Sequence, residues 1–547
     1  MSKILKHSPF ASTRASQKEV LKAIEKAFSE GYKNVLLEMP VGGGKSLIAI
    51  TAAKYFGQAH ILTPRKSLQN QYSEDFSSHG VALMKGRSSY PCLEDCTAEE
   101  NQEIYKHISN LILNRKVIPV ASLAQNCSTA PCIGNREYLN KCTGVTEIGK
   151  GEVSDPTHPC PYHIAIDVAQ NSSIIVHNLH SFIFQSYFAG RFQERNLLVI
   201  DECHEVEGIV RGFAAKKIIL PVAVKPEKLE ETKLFKTLDE WVTWLEDFQN
   251  LFKDTDNFGC HVSNRAEYLQ LLLQIKDLSD TFSDKFVSEV EVDALSKKTK
   301  FSFIPEQVGN LINNFLLSYG KKRLLMSGTI YNKSLYCKNN GLKEEETCFI
   351  RIGSSFPKVN RPIYFKDEYK VDTSHRLWDQ NFTSMITKIK SIMEVFDDVK
   401  GLIHTPSYLA SIAIHNALKS TGRVVAHTKD DFQQVLTDFY SSEDPKVLLS
   451  PVCQQGVDFK YDRARFQIVL RVPYANTSDT FVDHKVKKDF PWYNYQALVT
   501  FGQQIGRVNR SEDDFGVTIL MDERFGKFIS RNKNVLPKWL TEAIIYK

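Results

Sequence analysis

No uninterrupted apolar stretch in this sequence approaches the ~20 residues that a membrane helix needs. The segment Met1 to Phe10 carries Lys3, Lys6 and His7 but no apolar run long enough for a secretory signal. Both absences point to a cytoplasmic protein without a membrane partner, in a host cytoplasm if the gene is phage-borne. Charge of one sign is scarce too. The 69 Lys and Arg against 64 Asp and Glu leave a net charge of +5. A surplus that small permits a nucleic-acid partner without arguing for one. A secreted disulfide framework is not expected, because eleven cysteines is an odd number spread through 547 residues. At 24% charged and 42% apolar residues the composition is that of a folded chain. Its length calls for about three to four domains.

What is present begins with Glu38-Met39-Pro40-Val41-Gly42-Gly43-Gly44-Lys45-Ser46. An apolar run, Asn34 to Leu37, reads as a buried strand before it, and Leu47 to Phe56 reads as a helix after it. Strand, glycine loop, Gly-Lys-Ser and helix are the parts of a phosphate-binding loop. Gly42, Gly43 and Gly44 would let backbone N–H groups close around phosphate oxygens. Lys45 would reach the β- and γ-phosphates of ATP, and the Ser46 hydroxyl would sit on Mg²⁺. One position departs from the generic pattern: Met39 stands where the first glycine belongs. On this stretch alone, a tight turn with a solvated lysine stays open.

Upstream, Arg14 and Gln17 begin a helix predicted over Ser16 to Phe28. A carboxamide there can read adenine, although an exposed helix start is the plainer reading. Downstream, a strand over Ala59 to Leu62 leads into Thr63-Pro64-Arg65. Alternating strands and helices predict a parallel α/β sheet, whose ligands gather at the carboxyl ends of the strands. Thr63 and Arg65 fall at such an end and could hold a phosphodiester backbone. Asn196 to Ile200 predicts another strand, ending in Asp201-Glu202-Cys203-His204. In an ATPase, paired carboxylates at that position hold Mg²⁺, here through Asp201, and activate water, here through Glu202.

Between these segments lies a loop-rich stretch with Cys92, Cys96, Cys127, Cys132, Cys142 and Cys160. It buries little core of its own, so a metal staple is expected, with buried free thiols as the alternative. The lack of any Cys-x-x-Cys pair weakens a zinc ribbon. Residues 205–319 look mainly helical, with helices predicted over Leu238 to Phe252 and Ala266 to Phe282. Trp241, Trp244 and Phe248 share one helix face there and read as core. Arg323 to Thr329 reads as another strand with a small polar end, and a second α/β series follows, with strands at Gly401 to Ile403, Arg423 to Ala426, Lys446 to Leu449, Phe466 to Leu470 and Val517 to Met521. It has no phosphate loop of its own. Arg507 and Arg510 are expected on one helix face, where both could meet phosphate oxygens.

The set and its order resemble a superfamily 2 helicase of the XPD/DinG iron–sulfur type. The stretch from Glu38 to Ser46 is similar to that family's motif I, in which Met-Pro replaces the first glycine. Thr63-Pro64-Arg65 resembles motif Ia, Asp201 to His204 the DEAH box, and Ser327-Gly328-Thr329 motif III. His404-Thr405-Pro406-Ser407-Tyr408 resembles motif IV, Gly456-Val457-Asp458 motif V, and Gln503 to Arg510 motif VI. The resemblance implies two RecA-like motor domains with ATP and Mg²⁺ in the cleft between them. Asp458 and Gln503 would then line the nucleotide site, Arg507 and Arg510 would act as arginine fingers, and Thr405 and Ser407 would touch nucleic acid. It also implies a [4Fe-4S] cluster, held by Cys92, Cys132, Cys142 and Cys160, with Cys127 as substitute for a middle ligand. Arg87 would stand beside the cluster on the DNA path.

The implied layout is motor domain 1 at 1–84, 163–204 and about 320–330, a cluster domain at 85–162, a helical arch at 205–319, and motor domain 2 at 331–547. The expected activity is 5′ to 3′ translocation on single-stranded or forked DNA by a monomer. RNA as substrate, zinc in the cysteine site, a simple phosphate-loop NTPase and a non-catalytic nucleic-acid-binding protein are the alternatives.

Overall fold

The structure, a computed structural model, describes residues 2–40, 42–90, 161–220, 226–232, 235, 237–253, 285–292, 298–453 and 457–546. The candidate cluster ligands Cys92, Cys127, Cys132, Cys142 and Cys160, the helix predicted over 266–282, and Gly456 lie outside the described residues.

The first strands are β1 (Asn34–Glu38), β2 (Ala59–Thr63), β3 (Val81–Met84), β4 (Ile174–Asn178) and β5 (Arg195–Asp201). Next in the chain come β6 (Lys216–Leu220), β7 (Phe286–Val292) and β8 (Thr299–Pro305), and then β9 (Gly320–Ser327) and β10 (Thr347–Arg351). The first sheet runs β10-β1-β9-β5-β2-β4-β3 and is parallel throughout. Its strands are buried on both faces, as helix-covered parallel strands must be. Leu36, Leu62, Leu198, Ile200 and Leu325 pack on one side, against Phe182, Val206 and Ile312. Val35, Leu37, Ile61, Val199 and Met326 pack on the other, against the helices Ala15–Ser29 and Lys45–Phe56. Each such fully buried aliphatic side chain contributes ~1.5–3 kcal/mol.

The second sheet contains β11 (Ile363–Tyr364), β12 (Gly401–His404), β13 (Val424–Ala426), β14 (Val447–Ser450), β15 (Phe466–Val469), β16 (Val517–Leu520) and β17 (Ile544–Ile545). Its order is β13-β14-β12-β15-β16-β11-β17, again all parallel. The two-sheet α/β plan expected from the sequence is present.

Two expectations need correction and one needs an addition. The first sheet does not end near residue 330, because β10 pairs with β1 and extends it to Arg351. The described part of 205–319 is mainly helical as expected, but it also holds a sheet that was not: β6, β8 and β7 pair antiparallel. Its strands are short and alternate in burial, with Ile218 and Leu220 inside and Lys217 and Ile219 outside. That period of two is easily lost beside long helical patterns. The helix Leu238–Lys253 is present, and its Trp241 packs on Phe301 and Phe303 at ring distances of 5.5 and 5.1 Å, a core role as expected. Finally, Arg507 and Arg510 share no helix face, because the helix Phe490–Ile505 ends before both.

Candidate nucleotide site and nucleic-acid face

Strand order builds the site. In the first sheet β1, β9 and β5 are neighbours, with Glu38 paired to Ser327 and Asp201 paired to Met326. The glycine loop, Ser327 and the Asp201-Glu202 pair therefore emerge side by side at one edge, the carboxyl end of the strands. Gly44 caps the helix Lys45–Phe56 at φ +89°, a left-handed conformation that only glycine adopts without strain. The Met39 side chain fills the space beneath the loop, where a Cβ on Gly43 would come within 2.7 Å of it. Its buried thioether is thus part of the loop's support.

Lys45 is nearly buried and lies 3.7 Å from Glu202 Oε1. Asp201 accepts a hydrogen bond from the buried Tyr72 hydroxyl at 2.9 Å and another from the Glu202 N–H at 3.0 Å. The same tyrosine also hydrogen-bonds Ser46. Ser46 and Asp201 thus meet through one hydroxyl, and their hard oxygens fit Mg²⁺. Burial, and then the Glu202 carboxylate, raise Asp201 to about 6. For Glu202, burial pushes upward, but Lys45, His204 and Arg507 outweigh it and hold the carboxyl below its usual range. The environments push the two adjacent carboxylates apart, and Glu202 stays ionised beside Lys45. Burial takes His204 down to about 4. Its Nδ1 lies 2.8 Å from Ser327 Oγ, and Ser327 in turn accepts from the Thr329 N–H at 3.1 Å.

The second domain faces this edge. Gln503 donates to Thr329 Oγ1 at 2.9 Å, and the Arg510 carbonyl abuts Gly42. Arg507 is buried, donating to the Val457 carbonyl at 2.9 Å and to Gln503 Oε1 at 3.1 Å. Burial and the neighbouring Arg510 lower its guanidinium to about 9, so it stays charged at neutral pH. Arg510 is paired with Asp458 at 3.0 Å. Asp458, expected on the nucleotide, is an arginine partner here.

Beside the loop a cavity of about 480 Å³ is lined by Phe10, Arg14, Gln17, Gly42, Gly44 and Ser46, among others. Gln17 stands at its wall, but its carboxamide braces the chain. It accepts from the Arg14 N–H at 2.9 Å and donates to the Gly43 carbonyl at 3.2 Å.

The expected nucleic-acid contacts divide. Thr63 is fully buried, and its hydroxyl bonds the Arg65 and His177 carbonyls, so it holds chain and not phosphate. Arg65 is turned to Glu205, with N–O distances of 2.8 and 3.1 Å. Thr405 is buried against Ser411 at 2.6 Å, and the Ser407 hydroxyl caps the helix Tyr408–Leu418. Arg87 stacks over Tyr162 at 5.1 Å, and Tyr162 meets Tyr90 edge-on at 5.6 Å.

Sequence reasoning missed Tyr72, which no motif spacing marks. It also missed the role of Glu38, whose position at the end of an apolar strand was a usable signal. Glu38 is buried, with one oxygen 2.6 Å from Arg351 Nε and the other accepting the Tyr331 N–H.

Comparisons with known proteins agree with this geometry. Residues 389–543 match a helicase C-terminal domain model, and residues 10–221 match the model for the res subunit of type III restriction enzymes. The chain is 21% identical to the ATP-dependent DNA helicase YoaA of Haemophilus influenzae, over 93% of this chain and 91% of that protein. It is 26% identical to the XPD helicase subunit of repair factor IIH from Schizosaccharomyces pombe, over 40% of this chain and 32% of that one. A solved XPD helicase structure superposes with a TM-score of 0.57 at 16% identity, covering 98% of this chain and 100% of the other. Xpd4 of S. tokodaii gives 0.54 at 14% identity, covering 98% and 100%. The structural likenesses carry the fold, two RecA-like domains.

Proposed function

The chain belongs to the XPD/DinG family of superfamily 2 helicases, and we propose that it is an ATP-dependent DNA helicase moving 5′ to 3′ along single-stranded DNA. The observation that carries the reading is the cleft itself. The glycine loop, Ser327 and the Asp201-Glu202 pair end adjacent strands of one sheet, and Gln503, Arg507 and Arg510 approach them from the other domain.

Lys45 would turn from Glu202 to the phosphate oxygens. Ser46 and Asp201 would hold Mg²⁺, which supplies charge neutralisation on the phosphates. Glu202, kept ionised, would orient and deprotonate the attacking water. Arg507 and Arg510 would exchange Gln503, Val457 and Asp458 for the transferring phosphoryl group when the cleft closes. Closure and reopening would move the strand one step.

For the cysteine-rich stretch we propose a [4Fe-4S] cluster on Cys92, Cys132, Cys142 and Cys160, with Cys127 as substitute. The contact between Tyr90 and Tyr162 supports this, since it holds the two ends of that stretch together with Cys92 and Cys160 each two residues away in sequence. Arg87 at the same place would meet DNA phosphates. The cluster domain at 85–162, action as a monomer and a cytoplasmic location complete the proposal.

Steady-state ATP hydrolysis with and without single-stranded DNA tests the reading. Stimulation of at least about tenfold by DNA and less by RNA is expected for a DNA motor. Turnover indifferent to nucleic acid would mean a simple NTPase, and stronger stimulation by RNA would mean an RNA motor.

A further inference from the structure

The helix Phe490–Ile505 packs in the core of the second motor domain and is fastened near both ends to residues that precede that domain. At its far end Gln503 bonds Thr329, and Gly502 lets the helix press against Thr329 and Tyr331 where a Cβ would collide. At its near end a different residue receives it. Glu207, three residues past His204, is buried at 5% exposure. Its Oε1 accepts the Trp492 indole N–H at 2.7 Å, and its Oε2 accepts from the Gln496 carboxamide at 3.2 Å. Trp492 and Gln496 are one turn apart on one helix face, so one carboxylate grips two successive turns.

Arg211 secures Glu207 from behind. Its Nη2 donates to Glu207 Oε1 at 2.8 Å, its Nε donates to the Pro305 carbonyl at 3.2 Å, and its guanidinium lies 4.5 Å from the Phe481 ring centre. Both Glu207 oxygens are paired, which a buried carboxylate requires. The two fastenings differ in kind. The near one is a buried ionic network, and the far one is a single neutral hydrogen bond. Charge-assisted bonds are roughly twice as strong as neutral ones.

We propose that Glu207 is the fixed pivot of the motor: the helix turns about Trp492 and Gln496, and its far end moves Gln503, with Arg507 just beyond the helix, over the phosphate loop. This rests on the ATP-motor reading above. From Trp492 to Gln503 the helix rises about 16 Å, so a tilt of about 10° moves Gln503 by roughly 3 Å, enough to break its bond to Thr329. Glu207 lies five residues after Glu202, on the helix Val206–Ala214 that continues the DEAH-type segment. Glu207 is a positioning residue and touches no reacting atom.

The test is a Trp492→Phe/Gln496→Leu double variant of the full chain, which removes both donors and keeps the bulk. ATP hydrolysis without DNA and the KM for ATP should stay within about twofold, while DNA-stimulated kcat falls about tenfold. Full stimulation in the variant would overturn the pivot. So would equal loss of both activities with lowered thermal stability, since that marks a plain packing contact. Amide hydrogen exchange of the wild type reads the same proposal without turnover. On binding a non-hydrolysable ATP analogue, exchange should change across 500–508 and stay constant across 490–497. Faster exchange at 490–497 would show the grip opening and would overturn the pivot. A wild type that binds ATP but ignores DNA would contradict the proposed function, and the exchange pattern would then decide the pivot independently.

Discussion

Ser46, Asp201 and the phosphate loop are held by neighbours that carry no chemistry. Tyr72 joins Ser46 to Asp201, and Met39 fills the floor of the phosphate loop. Tyr72→Phe leaves the buried Asp201 carboxylate short of one donor, a loss of about 1–3 kcal/mol. The expected outcome is a Mg²⁺ requirement for ATP hydrolysis raised by about tenfold, read from a metal titration of the rate. An unchanged titration would mean that the hydroxyl does not organise the metal ligands. Lys45→Ala should abolish ATP hydrolysis and leave weak single-strand binding, measured by turnover and by filter binding. Retained turnover would contradict the phosphate-loop assignment. The residues that gather at the candidate nucleotide site were legible because phosphate chemistry demands fixed types at fixed spacing. The nucleic-acid contacts were not. A threonine or serine at a strand end serves a backbone carbonyl, a neighbouring hydroxyl or a helix cap as well as a phosphate, and Thr63, Thr405 and Ser407 respectively do so here.

At the scale of the element, strands buried on both faces were the readable ones. β1, β2, β5 and β12 are short apolar runs bounded by turn residues, and each lies within a residue or two of its predicted place. The strands β6, β7 and β8 carry their signal as alternation, partly covered by helix-like stretches on either side. β10 and β17 sit at sheet edges with mixed composition, so neither was marked. The loop-to-helix junction is the element most sensitive to change. Gly44→Ala forces a left-handed residue and drives a Cβ into Gln17, with a cost of at least about 1–2 kcal/mol. A lower denaturant midpoint, together with loss of ATP binding, is the expected result. A stable variant that still binds ATP would mean that the loop has freedom to refold around the added methyl.

At the scale of the whole molecule, two parallel sheets face each other across one cleft, and the cysteine-rich stretch leaves the first domain between Tyr90 and Tyr162. That stretch is remote in sequence from the phosphate loop, so strand separation and hydrolysis should fail separately. Cys160→Ser should lower unwinding about tenfold or more while ATP hydrolysis falls by less than about threefold. Iron analysis of the wild type should give about four irons per chain, the content of one [4Fe-4S] cluster. Equal loss of both activities would make the stretch a general folding staple. One zinc and no iron would keep the motor and remove the cluster.

The central claim is that ATP hydrolysis in this cleft drives separation of DNA strands. Its most direct test is unwinding of a labelled duplex with a 5′ single-stranded tail, beside a 3′-tailed duplex and with Lys45→Ala as control. The account predicts strand release that needs ATP and Mg²⁺, favours the 5′ tail and vanishes in the variant. Release that proceeds without ATP, or equally well with Lys45→Ala, would contradict it.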